Sequence, residues 1–124
     1  MKAKDVDFFE KVRTQLQQFH NEFSVLSKGK PDNPTNKLKL RFVNEKLSEA
    51  NRLLTGEFKP LGEFSLFDDA DLPTNSDVVM ILSQYMDCLE GWRCAHVRLD
   101  NGFWYWDTDD ETIRSEKPSR YRKG

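Results

Sequence analysis

Apolar residues recur along the first part of the chain with helical spacing. From about Asp5 to Leu26, Phe9, Val12, Leu16, Phe19, Phe23 and Leu26 are separated by 3, 4, 3, 4 and 3 positions, which is the a/d seam of one helix face. Asp5, Asp7 and Glu10 stand in the first turns, where carboxylates complement the helix dipole, and Gly29, Pro31 and Pro34 break the pattern. A second seam, Leu40, Val43, Leu47, Ala50 and Leu54, predicts a helix from Thr35 or Asn36 to Thr55, with Gly56 as its C-terminal cap. The short connection SKGKPDNP lets these helices form an antiparallel hairpin with facing seams.

The most apolar run is SDVVMILSQYMDCL, Ser76 to Leu89. Val78, Val79, Ile81, Leu82, Tyr85, Met86 and Leu89 cover more than half of a helical circumference, so a helix from Ser76 to Glu90 should be packed on more than one side and form the centre of the fold. Thr74 and Asp77 have the spacing of a capping box that starts it. Between Glu57 and Pro73 periodicity is lost while Phe58, Leu61, Phe64, Leu66 and Phe67 remain, as in an ordered loop laid over the hairpin.

Beyond Leu89 two patterns compete. Helical spacing continues through Trp92, His96 and Leu99, at a cost of about 1 kcal/mol for Gly91. Asn101-Gly102, however, suits a type I′ turn, and Phe103-Trp104-Tyr105-Trp106 favours a strand, so the expectation is a β-hairpin pairing Arg93–Leu99 with Phe103–Thr108. The predicted fold is therefore mainly α (α+β): a helical hairpin, a central third helix and a C-terminal β-hairpin. The alternative is an all-α three-helix bundle with an aromatic C-terminal arm. Residues 1–113 read as one domain, and 114–124, RSEKPSRYRKG, as a disordered basic tail.

Composition adds a charge asymmetry: residues 1–62 hold 12 basic and 8 acidic groups, and 63–124 hold 7 and 13. The N-terminal residues lack a signal-peptide core, and no apolar run approaches the ~18 residues of a membrane span, so a soluble cytoplasmic protein is expected. Cys88 and Cys94 read as free thiols.

Candidate chemistry is sparse. Cys88, Cys94 and His96, with His20 from the first helix, lack the usual zinc-ligand spacing. Asp107, Asp109, Asp110 and Glu111 start like a calcium loop, but Thr112 stands where glycine is required and Pro118 where the bidentate Glu is required. Cys94 and His96 could share a strand face as thiol and base, with nothing else marking a nucleophile. No cofactor, metal or catalytic site is expected.

Two features stand out instead. Phe103, Trp104, Tyr105 and Trp106 would make both faces of a strand aromatic, and are expected to bind a protein partner, with Trp104 and Trp106 as the hot spot. A second copy of the chain could also pair with this strand edge in a homodimer, which Trp106→Lys would dissociate. Lys28, Lys30, Lys37, Lys39 and Arg41 surround the first helix connection. With Arg120, Arg122 and Lys123 of the tail, they support the alternative of nucleic-acid binding. The first expectation remains a small non-catalytic interaction or regulatory protein.

Overall fold

The computed structural model of the protein describes residues 1–119. Its elements run α1 (Ala3–Gly29), α2 (Lys37–Leu53), a short 3-10 turn (Gly56–Phe58), α3 (Asn75–Ala95), β1 (Val97–Asp100) and β2 (Phe103–Trp106). This is the mainly α arrangement with a terminal β-hairpin. Among the described residues no helix is long and apolar enough to cross a membrane.

The seams form one core. Val6, Phe9, Val12, Leu16 and Phe23 of α1, Leu40, Val43, Leu47 and Ala50 of α2, and Val78, Ile81, Leu82, Tyr85 and Leu89 of α3 are all buried. Phe19 and Leu26 are partly buried against that cluster. The middle element is α1 and not α3, because both α2 and α3 pack on it.

Each helix start is satisfied by side chains. The Asp5 carboxylate accepts from Lys2 N–H at 2.8 Å and Asp110 accepts from Ala3 N–H at 2.9 Å, so the first turn of α1 is capped partly from the far end of the chain. Asn36 accepts from Leu38 and Lys39 N–H. Thr74 and Asp77 close the expected capping box at 3.1 and 3.0 Å.

The connections are fixed by hydrogen bonds that no hydrophobic pattern reveals. The α1–α2 link is joined to the start of α3 by Thr35 N–H to Pro73 O (2.8 Å), Asn75 N–H to Asn33 O (3.0 Å) and Ser76 N–H to Pro31 O (3.0 Å). The loop before α3 is clamped by the Asn44 carboxamide, which donates to Phe67 O and accepts from Phe67 N–H, both at 3.0 Å. Asn51 donates to Ser65 O at 2.9 Å and accepts the Tyr85 hydroxyl at 2.6 Å, which ties loop, α2 and α3 together.

At the end of α3 the structure combines the two competing patterns. The helix continues through Gly91 to Ala95, and the hairpin follows after one residue. Strand pairing therefore begins at Val97 and not at Arg93. The extension buries Trp92 and Arg93, leaving them 7% and 1% exposed, and burying a ring of that size outweighs the ~1 kcal/mol cost of a helical glycine. His96 ends the helix: its Nδ1 lies 2.7 Å from the Trp92 carbonyl, an acceptor only, so this nitrogen carries the proton and satisfies one of the last orphan oxygens.

Residues 114–119, expected to belong to a disordered tail, lie along the domain. Ser115 N–H donates to Trp104 O at 2.9 Å, Ser119 N–H and Oγ donate to Glu90, and Pro118 is buried. The reason is cooperative: an open strand edge and a buried cation both find partners in this segment. Arg120, Arg122 and Lys123 lie outside the described residues.

Candidate functional site

The hairpin turn is set by Asn101 at φ 51° and Gly102 at φ 81°, the two positive angles a type I′ turn needs. The pairs Val97–Trp106, Arg98–Tyr105, Leu99–Trp104 and Asp100–Phe103 follow. Because strand side chains alternate, Val97, Leu99, Trp104 and Trp106 share one face, and Arg98, Asp100, Phe103 and Tyr105 share the other.

The inner face carries Trp106 into the core. Its ring is 1% exposed, 5.1 Å from Phe9 edge-on and 6.0 Å from Trp92, with the Arg93 guanidinium 5.1 Å from its centroid. Trp92 itself stacks on Phe9 at 5.0 Å and on His96 at 4.1 Å. Trp104 is half-buried against the same cluster. The expected hot spot of Trp104 and Trp106 is thus corrected: Trp106 is core, because only this face of the strand meets α1 and α3. Trp106→Lys would place a charge inside the domain and unfold it.

The outer face is different. Phe103 is 47% exposed and Tyr105 is half-buried. The segment 113–115 lies alongside β2, with Trp106 N–H donating to Ile113 O at 2.9 Å and Tyr105 bridging Arg114. This brings the Arg114 guanidinium to 4.3 Å from the Phe103 ring, while Arg98 sits 5.8 Å from Tyr105 and 3.6 Å from the Asp100 carboxylate. Two rings and two guanidiniums thus share one solvent-facing surface. The same segment occupies the β2 edge, so the expected twofold pairing along Phe103–Trp106 has no free backbone there.

Beneath the hairpin Arg93 joins α3 to its surroundings. Its guanidinium is 3.0 Å from Glu10, bonds Glu90 at 3.1 Å and donates to Ser115 Oγ at 2.9 Å. Glu90 in turn is 3.6 Å from Arg13. A buried arginine with neighbours on α1, α3 and the 113–115 segment fixes how these parts meet, since any other arrangement leaves its charge unpaired. Nothing in the local sequence distinguishes Arg93 from a surface arginine.

The basic residues of the first connection do not form one patch. Lys39 is paired with Glu22 at 2.7 Å. Lys37 and Arg41 line a shallow groove of about 590 Å³ with Glu45, Glu49 and Asp69, so carboxylates share their surface. Lys28 and Lys30 are exposed at the end of α1.

The remaining candidates are dispersed. Among the described residues no three His, Cys, Asp or Glu side chains gather where they could hold a metal ion. His20 Nε2 lies 2.8 Å from Ser83 Oγ. Cys94 sits in the last turn of α3 and His96 at its cap, not on one strand face, and burial pushes the Cys88 thiol above its ordinary pKa. Asp109 is 3.1 Å from the amino group of Met1, and that bond holds its carboxyl below the ordinary range. With Asp110 on Ala3 N–H, the acidic run serves the α1 start. Compared with models of known protein families, with curated proteins and with solved structures, the chain matches none.

Proposed function

We propose that this is a small non-catalytic interaction protein that docks an acidic protein segment on the outer face of its terminal hairpin. One observation carries the reading: Phe103 and Tyr105 are presented to solvent between Arg98 and Arg114, residue types that dominate binding energy when buried in an interface. Arg98 already has Asp100 beside it, whereas Arg114 rests on the Phe103 ring, so a carboxylate meeting Arg114 gains a charge-assisted bond without losing the ring contact. The contact residues are Phe103, Tyr105, Arg98 and Arg114. Trp104 supports them from the inner side.

The same residue types can stack unpaired bases. The acidic protein segment is favoured because Lys37 and Arg41, elsewhere on the domain, are interleaved with carboxylates and form no continuous track for a phosphate backbone, and the sequence pI is about 5.7. Selection from a random displayed-peptide library, with a single-stranded oligonucleotide mobility-shift arm, tests the assignment. The wild type should enrich acidic peptides, and the Phe103→Ala/Arg114→Ala double variant should lose that enrichment while still folding, with a melting temperature lowered by no more than about 5 °C. Enrichment indifferent to peptide charge, or retained by the variant, would refute the site. An oligonucleotide shift without peptide enrichment would make nucleic acid the ligand.

A further inference from the structure

We infer that a second copy of this chain pairs with the outer edge of β1, antiparallel about a twofold axis at Leu99. The inference rests on the hairpin register and does not depend on the docking face proposed above. In a two-residue hairpin the residues flanking the turn, here Asp100 and Phe103, exchange backbone hydrogen bonds, and so do Arg98 and Tyr105 two positions away. The backbone groups of Leu99 and Val97 therefore point away from β2. The equivalent outward groups of β2 are taken: Trp106 N–H bonds Ile113 O, and Trp104 O accepts from Ser115 N–H. Among the described residues no segment does the same for Leu99, whose side chain is 51% exposed at this edge.

The side chains specify the occupant. With the axis at Leu99, residue 98 of one copy stands opposite residue 100 of the other. Arg98 then faces the partner's Asp100 and Asp100 faces the partner's Arg98, so VRLD is complementary to itself in this register alone. These two pairs fall at positions without backbone bonds, where cross-strand side chains approach most closely. The Leu99 pair falls at the bonded position and would exchange two N–H···O bonds. In the isolated chain Arg98 and Asp100 lie on one face 3.6 Å apart, so on pairing each exchanges its partner within the chain for the equivalent group of the second copy. Asn101, at φ 51°, ends the extended backbone and limits the register to a few residues, so the dimer is concentration-dependent and weakened by salt.

Charge reversal tests this directly by sedimentation equilibrium at high micromolar concentration. The wild type should approach twice 14.6 kDa. Arg98→Asp alone and Asp100→Arg alone each place like charges opposite one another and should remain monomers, with association weakened on the order of a hundredfold. An equimolar mixture of these two variants restores both pairs and should recover the dimer. Leu99→Pro removes one outward N–H without touching the hairpin bonds and should also be a monomer with an unchanged far-UV spectrum. A wild type that stays at 14.6 kDa, single-reversal variants that dimerise like it, or a mixture that does not dimerise would each overturn the inference.

Discussion

Replacing Trp106 by alanine separates a core residue from an interface residue most sharply. At 1% exposure the side chain is fully withdrawn from water, and a ring of this kind buries about 200 Å², worth roughly 5 kcal/mol at ~25 cal/mol/Å². Residual structure in the unfolded chain lowers that figure by about a tenth to two fifths. The Phe9 edge contact, the Trp92 ring and the Arg93 guanidinium above the indole would all lose a partner, which returns part of the reduction. A destabilisation of about 4 kcal/mol results, within the range for large aromatic truncations in cores. It is a large share of the ~5–15 kcal/mol total for a domain of this size. With an unfolding entropy of about 2.1 cal/mol/K per residue over 124 residues, the melting midpoint falls by about 15 °C. Urea unfolding followed by far-UV circular dichroism checks the free energy, and an unchanged m-value certifies that the same surface is exposed. Phe103→Ala, truncating a ring already 47% exposed, is the comparison and should cost less than about 1 kcal/mol. A Trp106→Ala loss no larger than that of Phe103→Ala would refute the placement of this ring in the core.

Two further outcomes follow from local features. Gly91 sits inside α3 with nothing within 4 Å of the position a Cβ would take, so Gly91→Ala should stabilise the domain by about 0.5–1 kcal/mol; a destabilisation in urea titration would contradict an unobstructed helical glycine. Burial raises the Tyr85 phenol above its ordinary pKa of 10.0, so its contribution is complete below pH 10.0 and is lost as pH rises through the higher folded-state value. Tyr85→Phe, which orphans the Asn51 acceptor, should cost about 1 kcal/mol at neutral pH, and the gap between the two proteins in urea unfolding should narrow above pH 10.0. A gap that widens with alkali would contradict the buried phenol.

Helical periodicity, side-chain caps and the Asn-Gly turn are short-range properties, and they alone determined most of this architecture. The seams Phe9 to Leu26 and Leu40 to Leu54 mark the helix faces because spacing along a helix translates directly into direction. Thr74 with Asp77, and Asn101 with Gly102, act on the backbone within a few residues, so their effect needs no knowledge of distant packing. What only the tertiary structure decided is which of two locally equivalent alternatives the rest of the molecule rewards. Alternation divides Phe103–Trp106 into two faces but cannot choose between them; Phe9, Trp92 and Arg93 on other elements draw Trp106 inward and leave Phe103 outside. Gly91 weakens a helix locally, yet burial of Trp92 and Arg93 carries α3 past it. The segment 113–115 offers only Ile113 as an apolar anchor and no periodicity, and its position is completed by hydrogen bonds to an edge strand and to an arginine remote in sequence. Among the described residues that same long-range choice closes β2 and leaves β1 open, because hydrogen-bonding capacity of a strand is symmetric until the fold supplies a neighbour on one side.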